Sequence, residues 1–132
     1  MCRRSLPRSL REGLRNVHAV VMFIFRGGTP ECPDLSPSDM QAHLNKWYAW
    51  AGALAKAGRH TGGQPLDRRG RTVRGHDRVV TDGPYAESKD LVTGSLVIEA
   101  SSIDDAVDVA RGCPVFEFGG SVEVRPVLEY EP

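Results

Sequence analysis

An apolar run near the start of the chain, from His18 to Phe25, constrains the fold more than any other stretch. Its sequence is HAVVMFIF, so residues on both alternating faces of an extended strand are apolar. A half-exposed strand alternates apolar and polar residues, whereas a strand buried on both sides is apolar throughout. The run therefore predicts a central strand in a sheet that is covered on both faces.

A long helix is predicted after the loop that follows this strand. The segment Ser36 to Asp39 combines a capping serine, a proline at the first helical position and a capping-box acid, and Gly58 marks the helix end. The predicted inner stripe, spaced by four and three residues, is Met40, Leu44, Trp47, Ala51 and Leu54. A second, overlapping stripe runs through Trp50. It places His43 at the edge of the buried face, one turn from Trp47, where we expect a half-buried side chain.

The rest of the chain supplies further strands and a second helix. The predicted elements are a short strand within Arg59–Pro65, a hairpin of Arg71–Arg74 and Arg78–Thr81, a strand Gly94–Ala100, a helix opened by Ser102 and Asp105, and a strand Ser121–Leu128. This order predicts an α+β domain over residues 17–132, a ferredoxin-like βαββαβ protomer with a β-hairpin insertion. Two helices cover only one sheet face, so we expect a homodimer that packs sheet to sheet.

Charge and cysteine usage exclude several classes of protein. The chain has 17 basic and 17 acidic side chains, but residues 1–16 carry about +4, which predicts a poorly ordered basic tail and a mildly acidic domain. Such a domain argues against nucleic acid as a partner. The three cysteines form no C-x-x-C pair, and no apolar run approaches the ~20 residues of a membrane span, so we expect a cytoplasmic protein without membrane insertion.

The sequence offers no signature of a bound cofactor. It contains neither a G-x-x-x-x-G-K-[ST] nor a G-x-G-x-x-G motif, and its four histidines have no metal-ligand spacing. The arginines between Arg68 and Arg78 lack interleaved aromatic residues, which favours a solvated hairpin face. Cys113 is interpreted as a small buried hydrophobe. We therefore expect neither metal nor cofactor.

The turn that ends the hairpin concentrates chemically useful side chains. Gly83 tolerates positive φ and Pro84 fixes its own φ, so the backbone between Asp82 and Lys89 is steered into a defined corner. Asp82 is a candidate general base or histidine-orienting acid, or an acceptor for the amides of its own turn. The other candidates on this corner are Tyr85, Glu87 and Lys89, which would bind a ligand. Alternatively, the Tyr85 ring would have only a packing role, and Glu87 and Lys89 would form a solvated ion pair.

These residues together resemble the YCII-related (YciI-like) family, in particular the branch named for its D-G-P-F motif. The resemblance rests on the element order, on Thr81-Asp82-Gly83-Pro84-Tyr85-Ala86-Glu87-Ser88-Lys89, on Arg111-Gly112-Cys113-Pro114 and on Val122-Glu123-Val124-Arg125-Pro126-Val127. It implies a dimeric α+β barrel. Tyr85 stands where phenylalanine is usual. The family's suspected His–Asp pair takes its acid from a motif that here reads Gly112-Cys113-Pro114, without an acid.

Two functional hypotheses follow. In the first, the protein is a small cofactor-free enzyme that holds a small organic molecule, aromatic ones included, in a pocket between the first helix and the sheet. His43 and Asp82 would be the catalytic pair, and the substrate-binding residues would be Trp47, Tyr85, Glu87 and Lys89. In the second, it is a non-catalytic ligand-binding or regulatory module, which the resemblance links to sigma-factor regulation.

Overall fold

The computed structural model describes residues 19–28, 35–83 and 89–128. The elements are β1 (Ala19–Arg26), α1 (Pro37–Lys56), β2 (His60–Pro65), β3 (Arg71–Arg74), β4 (Val79–Asp82), β5 (Val92–Ala100), α2 (Ile103–Arg111), a 3₁₀ helix (Pro114–Phe118) and β6 (Ser121–Pro126). The fold is α+β, and with the β3–β4 hairpin set aside the order is βαββαβ, as predicted. The predicted basic tail lies outside the described residues.

The main sheet places β1 between β5 and β6, which confirms its predicted central position, whereas cover on both faces of the sheet stays a prediction. Its strand order is β2-β5-β1-β6, and every neighbouring pair is antiparallel. Alternate β1 residues, among them Val21 and Phe23, are buried beneath the helices. The residues between them are only partly buried, and among the described residues the two helices cover one face of the sheet. We call the other side, with Val20, Met22, Ile24 and Val97, the open face.

The first helix begins as its sequence predicts but faces the sheet differently. Ser36 caps it by accepting a hydrogen bond from the Asp39 amide at 3.1 Å. The predicted inner position Leu44 is exposed, and His43 is buried instead, with only 3% of its surface exposed. The cause is aromatic packing, because Trp50 stacks on Phe23 with ring centroids 6.0 Å apart. That contact turns the tryptophan stripe, and His43 with it, toward the sheet.

A 3₁₀ helix between α2 and β6 was not predicted. It starts at Pro114, shortly after α2 ends at Arg111. Gly28 and Gly120 hold it against the end of β1, since a Cβ on either glycine would collide with the Val115 side chain. The close approach of these two glycines fixes the position of the whole 3₁₀ helix beside α1.

The hairpin β3–β4 forms a separate two-stranded sheet. Its turn spans Gly75 to Arg78, so β4 starts at Val79, one residue later than predicted. Arg78 has a φ of 55°, a left-handed conformation that is unfavourable for residues other than glycine.

Within the described ranges, neither helix has the length and apolar character that a bilayer span requires.

Candidate active site

Three polar side chains meet where α1 lies against the 3₁₀ helix. The Nδ1 atom of His43 lies 3.6 Å from Oε2 of Glu117. The same carboxylate oxygen accepts a hydrogen bond from Nζ of Lys46 at 2.8 Å. On the opposite side of the imidazole, Nε1–H of Trp47 donates to Nε2 of His43 at 3.1 Å. We call His43, Lys46, Trp47 and Glu117 the His43 cluster.

Helical spacing explains how the sequence assembles this cluster. His43, Lys46 and Trp47 stand three and four residues apart on α1, so their side chains project from one face. Glu117 comes from the 3₁₀ helix, whose proline start and glycine anchors place it opposite that face. Lys46 and Glu117, which are 71 positions apart in sequence, thus meet because helical spacing orients the first and the 3₁₀ helix positions the second.

The contacts around the imidazole determine which nitrogen carries the proton. An indole N–H can only donate, so Nε2 of His43 must accept and hold its lone pair toward Trp47. A neutral His43 therefore carries its proton on Nδ1, the nitrogen that faces Glu117. This is the arrangement of a histidine oriented by a carboxylate, with the second nitrogen available as a base once its indole partner is replaced.

Glu117 is held in its ionised form. The hydrogen bond from Lys46 lowers the pKa of the Glu117 carboxyl, and the contact with His43 lowers it further. Partial burial opposes this effect without reversing it. The side chain of Glu117 is 35% exposed and that of Lys46 is exposed, so solvent screens their ion pair and the pair contributes little to stability. The pair matters locally, because it holds a negative charge on Glu117 beside the buried imidazole of His43.

Aromatic rings enclose the imidazole. Phe118 meets it edge to face with ring centroids 4.6 Å apart, and Trp47 packs against Phe25 at 5.1 Å. In the described part of the chain, Nδ1 of His43 is a buried polar atom without a hydrogen-bond partner, because 3.6 Å is too long for one. Such an atom costs ~1–3 kcal/mol, a cost that a purely structural histidine would not need to carry.

The structure brings together some of the predicted site residues. His43 and Trp47 are in direct contact. Asp82 lies at the end of the hairpin with its side chain 94% exposed, 3.7 Å from the Arg71 guanidinium, and Lys89 is also exposed. Tyr85 and Glu87 lie outside the described residues. The acid that contacts His43 among the described residues is Glu117, and a catalytic role for Asp82 stays a prediction.

Glu117 is the site residue that sequence reasoning missed. The acid expected in the Gly112-Cys113-Pro114 segment is absent, but the chain carries an acid a few residues later. Two signals were available: Pro114 suits the first position of a short helical turn, and Glu117 is the single acid between Gly112 and Gly120. Neither signal predicts that this turn packs against α1, because the turn is positioned by tertiary contacts of Gly28 and Gly120 with Val115.

Two other chemistries find little support in the described residues. Cys113 is buried, and that burial raises the pKa of its thiol to about 12, so the thiolate needed for nucleophilic attack is scarce at neutral pH. Its interpretation as a small buried hydrophobe is confirmed. Across residues 19–28, 35–83 and 89–128, no three side chains of the His, Cys, Asp and Glu types group closely enough to hold a metal ion.

Comparison with known proteins gives a family but no activity. A family model described as YCII-related domain matches residues 29–131. An uncharacterized protein of Rhizobium meliloti (strain 1021) is 40% identical over 57 residues, which is 42% of this chain. The match spans 46% of that protein's own length, about half.

Proposed function

The chain belongs to the YCII-related family, and on that premise we propose that it is a small cofactor-free enzyme that moves a proton on a small organic molecule. The molecule binds between α1 and the sheet, at the His43 cluster. The aromatic rings around His43 suit a planar or aromatic substrate. The observation that carries the proposal is a buried imidazole with an ionised carboxylate facing one nitrogen.

In the proposed reaction His43 is the general base. The substrate displaces the Trp47 indole from Nε2, and Nε2 takes a proton from an acidic C–H bond, leaving its electron pair on the substrate as an enolate or related anion. Glu117 stabilises the imidazolium through Nδ1–H, and Lys46 keeps Glu117 ionised. Return of the proton to a second substrate atom completes an isomerisation, so neither oxidant nor cofactor is consumed.

Deuterium incorporation tests the chemistry without knowledge of the natural substrate. The full-length protein is incubated in D₂O with a panel of small aromatic and aliphatic carbonyl compounds, and exchange at acidic C–H positions is followed by NMR. We expect Glu117→Gln to slow exchange about 10²-fold or more, because general-base catalysis contributes 10²–10⁴-fold. Asp108→Asn is the matched control, since Asp108 also pairs with a basic residue, Arg111 at 3.7 Å, but on α2.

The outcome of this pair of variants is decisive for the proposal. Equal exchange rates in Glu117→Gln and the wild-type protein would show that the carboxylate does not support catalysis. Loss of exchange in both variants would indicate damage to the fold rather than to the site, which melting temperatures check directly.

A second candidate function is a non-catalytic ligand-binding or regulatory module. It is favoured by a specific observation: Nε2 of His43 is occupied by Trp47 and the ring is almost fully buried. Under this function, compounds raise the melting temperature of the wild-type protein in a thermal-shift screen while no C–H exchange occurs. A link to sigma-factor regulation belongs to this alternative and rests on the family resemblance of the sequence.

The assembly we propose is a homodimer of the D-G-P-F branch, closed sheet to sheet as a dimeric α+β barrel in the cytoplasm. Support comes from the open face, where Met22 and Val97 pair across β1 and β5 with no element of the same chain among the described residues packed over them. An apolar sheet centre left partly exposed to water is unfavourable, and a second copy offers an identical surface.

A further inference from the structure

The hydrogen bond between Trp47 and His43 requires a neutral imidazole. An indole N–H donates and does not accept, so the bond needs a lone pair on Nε2 of His43. A second proton on the ring binds that lone pair, because Nδ1 already carries the first. Two N–H donors then face each other across the 3.1 Å that separates Nε2 from the indole nitrogen. Protonation of His43 therefore replaces an attractive contact by a repulsive one.

The charged groups around the imidazole come from both elements that enclose it. Glu117 of the 3₁₀ helix faces Nδ1 at 3.6 Å and is the acid that pairs with His43 within the described ranges, so it favours the imidazolium. Lys46 of α1 binds the same carboxylate oxygen at 2.8 Å and opposes that effect. The other two ring neighbours, Trp47 and Phe118, are uncharged. Glu117 and Trp47 thus act on His43 in opposite directions, since the acid favours the charged ring and the indole favours the neutral one.

Trp47 can leave its position without disturbing the core. His43 is 3% exposed, whereas Trp47 is only partly buried and packs against the core from outside, edge to face with Phe25. A buried donor without an acceptor is unfavourable, and a protonated His43 creates two of them, its own Nε2–H and the indole N–H. Outward rotation of the indole hydrates both groups. Rotation of Trp47 is therefore the expected response to protonation of His43.

We propose that His43 and Trp47 form a proton-operated lock between α1 and the sheet. With a neutral His43, the indole is bound to Nε2 and covers that nitrogen. With a protonated His43, the indole leaves and the space beside Phe25 opens. This lock controls access to the site whether or not the protein is an enzyme, and so goes beyond the proposed function. If the proposed reaction occurs, the indole returns only after the abstracted proton has left Nε2.

The position of the indole is measured by NMR on the full-length protein without any ligand. The pH is lowered from about 8 to about 5, the interval in which histidines titrate. Ring ¹⁵N shifts report the charge of His43, and nuclear Overhauser effects between the Trp47 and Phe25 rings report the docked indole. We expect these ring-to-ring signals to be lost along the same curve that describes the charging of His43.

Trp50 is an internal control in the same spectra. Its ring stacks on Phe23 with centroids 6.0 Å apart, and its indole N–H donates to the Val109 carbonyl oxygen, which does not titrate. We expect the signals between Trp50 and Phe23 to stay constant over the whole pH interval. Their persistence distinguishes a local opening at Trp47 from acid unfolding.

Two variants should shift the opening in opposite directions. Glu117→Gln removes the charge that favours the imidazolium, so the midpoint for release of Trp47 should move to lower pH. Lys46→Gln removes the cation that competes for the same carboxylate, so the midpoint should move to higher pH. Glu99→Gln is the matched control, because Glu99 lies on the open face of β5, opposite Val20, and should leave the midpoint unchanged.

Each outcome decides for or against the lock. Ring signals between Trp47 and Phe25 that persist while His43 becomes charged overturn it, and so does a His43 that stays neutral down to about pH 5. Simultaneous loss of the Trp50 signals indicates unfolding and overturns it as well. Selective loss of the Trp47 signals, with opposite shifts in the two variants, supports it. The C–H exchange assay tests the proposed enzyme separately, since no substrate enters these titrations.

Discussion

The sequence leaves His43 open between a structural and a catalytic histidine until its neighbours in the fold are known. From the sequence it stands at a helix edge beside tryptophans. In the fold, Trp47 occupies Nε2 and Glu117 faces Nδ1, so the ring is oriented but its basic nitrogen is covered. A satisfied core histidine would have a partner for Nδ1 within hydrogen-bond distance. The 3.6 Å separation from Glu117 leaves room for a contact that tightens when His43 becomes charged.

Removing the indole donor should change the tautomer of His43. Trp47→Phe keeps a ring against Phe25 but leaves Nε2 without its N–H partner. We expect the ¹⁵N shifts of the His43 ring to move from a defined Nδ1–H tautomer toward a mixture of both tautomers. The lost hydrogen bond should also lower the free energy of unfolding by about 1 kcal/mol.

Trp50→Phe is the matched control for this experiment. Its indole N–H donates to the Val109 carbonyl oxygen at 3.2 Å, so the variant removes an equivalent bond elsewhere on the same helix. We expect a similar loss of stability with an unchanged His43 tautomer. An identical tautomer in Trp47→Phe and wild-type protein would contradict the assignment of the indole as the group that orients the ring.

At the scale of elements, Asp105 joins the two helices. It accepts the Ser101 amide at 3.0 Å, and it pairs at 2.6 Å with Arg59, which lies just beyond α1. The bond from the Ser101 amide is the main cause of the lowered pKa of the Asp105 carboxyl, and Arg59 lowers that pKa further. A lowered folded-state pKa means that this stabilisation is present above the ordinary value of 3.8 and is lost as pH falls below it.

The pH dependence of an Asp105→Asn variant tests this linkage. We expect its melting temperature to lie below the wild-type value by a constant amount between pH 5 and 7. That gap should narrow as pH falls through and below 3.8, because the wild-type carboxyl then becomes neutral as well. Asp104→Asn, on the exposed side of the same helical turn, should show a smaller loss. A gap that stays constant down to pH 2.5 would exclude the carboxylate as its source.

Local signals predicted most elements, and tertiary contacts decided what they missed. Ser36 and Ser102 cap the helices where their sequences indicate, since capping depends on neighbours three residues away. The exposure of Leu44 was mispredicted because periodicity alone cannot rank two overlapping stripes. Stacking of Trp50 on Phe23 chose between them. The position of Glu117 depends on a glycine contact between distant segments, which leaves no periodic trace in the sequence.

At the scale of the whole molecule, two apolar surfaces have no packing partner in the part of the chain that the structure describes. The apolar run predicts a strand covered on both sides, and within residues 19–28, 35–83 and 89–128 the helices cover one side of it; the hairpin adds exposed valines. One of these surfaces is flat and the other projects from the domain, and the proposed homodimer would cover the flat one. The sequence anticipated the first surface through the pattern of β1, whereas the second required the observation that the hairpin stands apart from the main sheet.

A single charge on the open face should separate the dimer without unfolding the protomer. Ile24 pairs in register with Glu123 on β6, and although Glu123 already pairs with Arg26 at 3.1 Å, a lysine in Ile24→Lys has this carboxylate as a neighbour in its own sheet. The protomer therefore tolerates the change, whereas burying two such lysines at a symmetric interface is costly. We expect Ile24→Lys to sediment as a monomer with wild-type far-ultraviolet circular dichroism. Tyr48→Lys on the outer side of α1 should stay dimeric, and a dimer unchanged by Ile24→Lys would place the interface elsewhere.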